Sequence, residues 1–89
     1  MKEPYLEVTF RHGSAVAAYL YLPRKAGERS YRTTRAQGGL LVDYNRSGKP
    51  IGIEISAPSK LSVAILNRVL RQLGQKTVTR VDLAPLRAA

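Results

Sequence analysis

The chain has 89 residues, no cysteine, one histidine, and fifteen Lys and Arg against six acids, a formal charge of +9. A chain this short supports a single domain that buries only about 60–65% of its unfolded surface, so self-association is a natural way to bury more. The absence of cysteine excludes disulfides, thiolate nucleophiles and the common zinc clusters. The longest apolar run, Ala15–Leu22, falls far short of the roughly 20 residues a membrane helix needs. The first residues, Met-Lys-Glu-Pro-Tyr, lack the apolar stretch of a signal peptide, so a cytoplasmic protein is the expectation.

Leu6, Val8 and Phe10 alternate with Glu7 and Thr9, which predicts a half-buried strand over residues 5–10. Arg11-His12-Gly13-Ser14 supplies a turn. A second strand follows over Ala15–Leu22, with Val16, Ala18, Leu20 and Leu22 inward and Ala17, Tyr19 and Tyr21 outward, until Pro23 ends it. Residues 29–35, rich in Arg and Thr with Tyr31 among them, read as a weakly apolar third strand suited to an edge.

Gln37-Gly38-Gly39 breaks the chain before the clearest hairpin. Leu40, Val42 and Tyr44 share one face of strand four, and Leu41, Asp43 and Asn45 the other. In Asn45-Arg46-Ser47-Gly48 the Asn suits the first position of a type I turn and Gly48 the left-handed residue that closes a bulged hairpin. Strand five then puts Ile51, Ile53 and Ile55 inward and Gly52, Glu54 and Ser56 outward. Glycine among isoleucines marks a bulge or a closely packed neighbour.

A helix is predicted from about Leu61 to Leu73. Ile65, Leu66, Val69, Leu70 and Leu73 form its buried stripe, with Ala64, Asn67, Arg68 and Arg71 opposite. Ser59 or Ser62 caps its start and Gly74 stops it. The domain so defined spans 1–74. The tail, 75–89, places Val81 and Leu83 at alternating positions, which fits a short sixth strand or a segment ordered by a partner. The expected fold is α+β: a mainly antiparallel sheet of about five strands, with the helix packed over the face carrying Leu6, Val8, Phe10, Leu20, Val42, Ile51, Ile53 and Ile55.

Two segments carry a family resemblance. Gly13-Ser14-Ala15-Val16-Ala17-Ala18-Tyr19-Leu20-Tyr21-Leu22 and Leu40-Leu41-Val42-Asp43-Tyr44-Asn45-Arg46-Ser47-Gly48-Lys49-Pro50-Ile51-Gly52-Ile53-Glu54-Ile55 together resemble the small prokaryotic family known as domain of unknown function 2283. Asp43, Gly48 and Gly52-Ile53-Glu54-Ile55 fall on its hairpin pattern. The acidic turn that usually precedes its tyrosine strand is replaced here by Arg11-His12-Gly13, and the Asp of its Ala-Asp-Ala by Val16. The resemblance implies no established activity. Some members look like partners in two-gene, toxin–antitoxin-like arrangements, which makes an antitoxin-like partner one implied role.

The residues offer little catalytic vocabulary. His12 has no acidic neighbour in sequence and adjoins Arg11, so it reads as a turn residue rather than a base or ligand. Asp43 and Glu54 share the outer face of neighbouring strands, where two carboxylates can do acid–base work or hold a cation. Pairing with Arg32, Arg35, Arg46 or Lys49 is the simpler expectation. Gly38-Gly39 precedes a strand and lacks the Gly-Lys-Ser/Thr ending of a phosphate loop. No enzyme activity, cofactor or metal is therefore expected.

Two binding surfaces remain. Tyr5, Tyr19, Tyr21 and Leu41 on the outer sheet face suit an interface, either in a homodimer or with a small protein partner. The last third of the chain, with six bases and only Asp82, offers Lys60, Arg68, Arg71, Lys76 and Arg80 as a phosphate-directed nucleic-acid surface.

Overall fold

The computed structural model describes residues 3–87. Five strands, β1 (Tyr5–Arg11), β2 (Ser14–Tyr21), β3 (Arg32–Arg35), β4 (Leu40–Tyr44) and β5 (Pro50–Ile55), form one sheet. Their order is β1-β2-β5-β4-β3, and every neighbouring pair is antiparallel. Helix α1 (Val63–Gln72) follows, with 3₁₀ turns at Gln37–Gly39, Pro58–Lys60 and Ala84–Arg87. The α+β reading holds, and β3 lies at the predicted edge.

Local chemistry explains the connections. His12 and Gly13 both take positive φ, 53° and 80°, the twist a two-residue hairpin turn needs to match its strands. At the second hairpin the Gly48 amide donates to the Asn45 carbonyl at 3.0 Å, and Gly48 has φ 88°. The pairing then slips between Asp43 and Tyr44, as expected for a type I turn closed by a bulge. Of the two candidate caps, Ser62 is the one used, its Oγ accepting from the Ile65 amide at 3.3 Å. Gly74 stops α1 at φ 71°, with Gln75 donating to the Leu70 carbonyl and Gly74 to that of Arg71, a Schellman closure.

One face of the sheet is covered. Ala18, Leu20, Leu22, Leu40, Val42, Ile53 and Ile55 meet Leu66, Val69 and Leu70 of α1 in a single buried cluster, while Leu6 and Val8 pack against its margin. Three expectations need correcting. First, Phe10 and Val16 are 47% and 42% exposed rather than buried. Only Ala18–Tyr21 of β2 pairs with β5, so Ser14–Ala17 and the end of β1 form a two-stranded ribbon overhanging the sheet. The register slips within it, between Thr9 and Phe10.

Second, no sixth strand forms among the described tail residues, 75–87. Val78, Leu83 and Leu86 are instead buried in the core cluster, whereas Val81 is 82% exposed. The alternation of Val81 and Leu83 was therefore misleading, because a turn at 80–83 inverts which residue faces inward. Third, Asn67 does not face solvent. Its Nδ2 donates to the Val78 carbonyl at 2.9 Å and its Oδ1 accepts from the Val78 amide at 2.8 Å, so the helix clamps the tail backbone through one side chain.

Candidate interaction face

The helix and tail cover one side of the sheet, and the outer side carries two cross-strand rows. Pairing places Arg35, Leu41, Glu54, Tyr19 and Glu7 in one, and Thr33, Asp43, Gly52, Tyr21 and Tyr5 in the next. Tyr5, Tyr19 and Tyr21 are thereby brought together. The Tyr5 and Tyr21 rings lie 5.6 Å apart, and Tyr19 meets Tyr21 edge-on at 4.7 Å, separations at which aromatic pairs attract beyond their area. Tyr5 is 55% exposed, and Tyr19, Tyr21 and Leu41 are half-buried. Leu41 is separated from the tyrosines by the exposed Glu54.

Gly52 explains how this face closes. A Cβ there would lie 2.0 Å from the Tyr19 hydroxyl and 2.3 Å from Cζ, so the Tyr19 ring lies directly on the glycine backbone. The packed neighbour is a tyrosine one strand away. Lying there, Tyr19 reaches across β5 and donates to Asp43 Oδ2 at 2.6 Å, while the Thr33 hydroxyl donates to Oδ1. One carboxylate thus ties β2, β4 and β3 together across β5.

The expected partners of Asp43 are corrected by this geometry. Arg32 stacks on Tyr44 at 4.6 Å and Arg46 on Tyr31 at 5.2 Å, and the carboxylate is held by hydroxyls. Burial alone would raise the Asp43 pKa. The hydrogen bonds from Thr33, Tyr19 and Ser30, with the charge of Arg24, outweigh it and hold the carboxyl below its usual value. Burial and the adjoining Asp43 push Tyr19 the other way, up to about 12. At neutral pH the pair is a weak base bonded to a weak acid, which suits a fixed network. Asp43 and Glu54 are diagonal rather than opposed, since Asp43 pairs with Gly52 and Leu41 with Glu54.

Sequence reading missed Arg24 and Thr33. Arg24 donates to the Ile51 carbonyl at 2.6 Å and the Glu28 carbonyl at 3.2 Å, and lies over the Tyr21 ring at 5.0 Å. No local pattern marks such a residue, because these two hydrogen-bond acceptors are backbone carbonyls, one of them 27 positions away.

Lys60, Arg68, Arg71, Lys76 and Arg80 are all exposed. Lys60 borders a cleft with Gly38, Leu40 and Ile55, whereas Lys76 borders grooves with Pro4, Leu20 and Val78. The five come from the 3₁₀ turn at Pro58–Lys60, from α1 and from the tail, and Lys60 and Lys76 border different clefts. His12 is an exposed turn residue. Among the described residues no three His, Cys, Asp or Glu side chains converge as metal ligands, and no helix is long and apolar enough to cross a membrane.

Comparison with curated proteins and with solved structures returns no match. The model of one family, described as "Protein of unknown function (DUF2283)", matches residues 17–57, the stretch from the tyrosine strand through the second hairpin. That strand and hairpin make residues 17–57 similar to the DUF2283 family, whose description assigns no function.

Proposed function

We propose that the protein is a non-enzymatic interaction module that self-associates through its outer sheet face. The observation that carries this reading is the asymmetry of the sheet: one face lies under α1 and the tail, and the other presents Tyr5, Tyr21 and Tyr19 with Leu41 nearby and, among the described residues, no helix over them. A half-covered sheet whose outer face mixes interlocked aromatics, an apolar side chain and charged groups suits a protein interface. The Tyr19–Asp43–Thr33 network holds the face in one shape before binding, which lowers the ordering cost of association. Light scattering over a dilution series tests this: the expected result is a dimer that dissociates on dilution and is weakened by Tyr5→Arg. A monomer at every concentration overturns self-association and leaves a small hetero-partner, such as an antitoxin-like arrangement would supply.

A second reading, non-specific nucleic-acid binding, is supported by the exposure of Lys60, Arg68, Arg71, Lys76 and Arg80 in a stretch, residues 57–89, whose only acid in sequence is Asp82. Their spread favours diffuse, phosphate-directed contact. Counterion release then predicts affinity that falls steeply with salt, and an absence of binding at low salt overturns it.

A further inference from the structure

A second basic region lies in the middle of the sequence, ahead of the helix. The β2–β3 loop with the start of β3 (residues 24–32) and the β4–β5 turn (residues 45–49) together hold Arg24, Lys25, Arg29, Arg32, Arg46 and Lys49 against Glu28 alone. Between the loop and the turn is an open cleft of about 630 Å³, lined by Arg29, Ser30, Tyr31, Asn45, Arg46 and Ser47 among others.

The cleft is built rather than incidental. Glu28 accepts from Asn45 Nδ2 at 2.8 Å and from the Lys25 amide at 3.3 Å, which staples the loop to the turn. Arg24 ties the same loop to the Ile51 carbonyl, and the Tyr31 amide donates to the Tyr44 carbonyl at 2.8 Å. The hydrogen bond from Asn45 holds the Glu28 carboxyl below its usual pKa, so the single acid is occupied by the staple. On this frame Tyr31 is the most exposed aromatic side chain of the protein, at 65%, with the Arg46 guanidinium 5.2 Å from its ring centre. Packing gives no reason for an aromatic there, since Tyr31 lies outside the core.

We propose that this cleft binds single-stranded nucleic acid, with a base stacked on Tyr31 and Arg46 and adjacent phosphates held by Arg29 and its basic neighbours. A stacking ring beside guanidinium groups in a positive groove is the recurring chemistry of single-strand sites. Duplex DNA hides its base faces and offers Tyr31 nothing to stack on. An acidic peptide would meet the positive charge but would not need the ring.

The test is fluorescence anisotropy of labelled mixed-sequence RNA and DNA oligonucleotides, with the same sequence as duplex and polyglutamate as competitors. Single strands are expected to bind more tightly than duplex. Tyr31→Ala is expected to weaken them by roughly tenfold with the salt dependence unchanged. Arg29→Gln is expected to lower the slope of log affinity against log salt by about 0.7, at about 0.7 per phosphate released. Arg68→Gln with Arg71→Gln is expected to leave both quantities alone, which separates this cleft from the helix surface. Tyr31 and Arg29 are exposed, so these variants should fold, and circular dichroism checks that. The proposal is overturned by no binding at low salt, by duplex or polyglutamate binding as tightly, or by losses that follow Arg68 and Arg71 instead of the cleft.

Discussion

Replacing Gly52 by alanine tests the account of the outer face most directly. In an ordinary strand the change stabilises by roughly 0.5–1 kcal/mol, because glycine loses more backbone entropy on folding. Here the new methyl would sit 2.0 Å from the Tyr19 hydroxyl, 2.3 Å from Cζ and 2.5 Å from Cε2, so the ring must swing away. That movement gives up the 2.6 Å hydrogen bond to Asp43 and the edge contact with Tyr21. A hydrogen bond to a charged group contributes about 1.5–3 kcal/mol, toward the lower end for a half-exposed pair, and an aromatic pair about 0.5–1.5 kcal/mol. After the entropic gain, a net loss of about 2 kcal/mol is expected, or a fall in Tm of roughly 10 °C for a domain of this size. Urea unfolding followed by circular dichroism measures it. The decisive arm is the background: in Tyr19→Ala the three closest contacts to the methyl are gone, so Gly52→Ala should become neutral or stabilising there. A Gly52→Ala variant as stable as wild type, or one that loses the same free energy with Tyr19 absent, would refute the reasoning.

Asn67→Ala removes both hydrogen bonds to the Val78 backbone and should cost about 2 kcal/mol; in hydrogen exchange the Val78 amide should lose protection before the β4 and β5 amides do. The pH dependence follows from the two opposed shifts. Asp43 has its folded pKa lowered, so its contribution is present above the ordinary carboxyl range and lost as pH falls below about 4; Asp43→Asn should show a shallower acid loss in melting experiments. Tyr19 has its folded pKa raised to about 12, so its contribution is intact below the ordinary value of 10.0 and lost as pH rises toward 12. Followed by the near-ultraviolet tyrosinate signal, Tyr19 should ionise at lower pH in Asp43→Asn than in wild type, yet still above its ordinary value, because the burial that raises it most remains.

Periodicity and turn chemistry were enough to read the second hairpin in full. Asn45 and Gly48 specify the turn, and the alternation of Leu40, Val42, Ile51, Ile53 and Ile55 specifies the buried face, because both depend only on backbone geometry within a few residues. The end of the helix was equally legible, since Gly74 satisfies orphan carbonyls of the turn just before it. What lay beyond local reading were contacts between distant segments. Phe10 and Val16 alternate correctly yet stand exposed, because β5 is too short to pair that end of β2. Leu83 and Leu86 look like a tail, and they are core because Asn67 clamps Val78 and turns the chain back over the sheet. Gly52 announced a close approach, but only the strand order β2-β5-β4 made its neighbour Tyr19 and its consequence a carboxylate on the next strand. A local pattern states which face a residue takes; what that face meets depends on which strands lie beside it, and that is set by the whole chain at once.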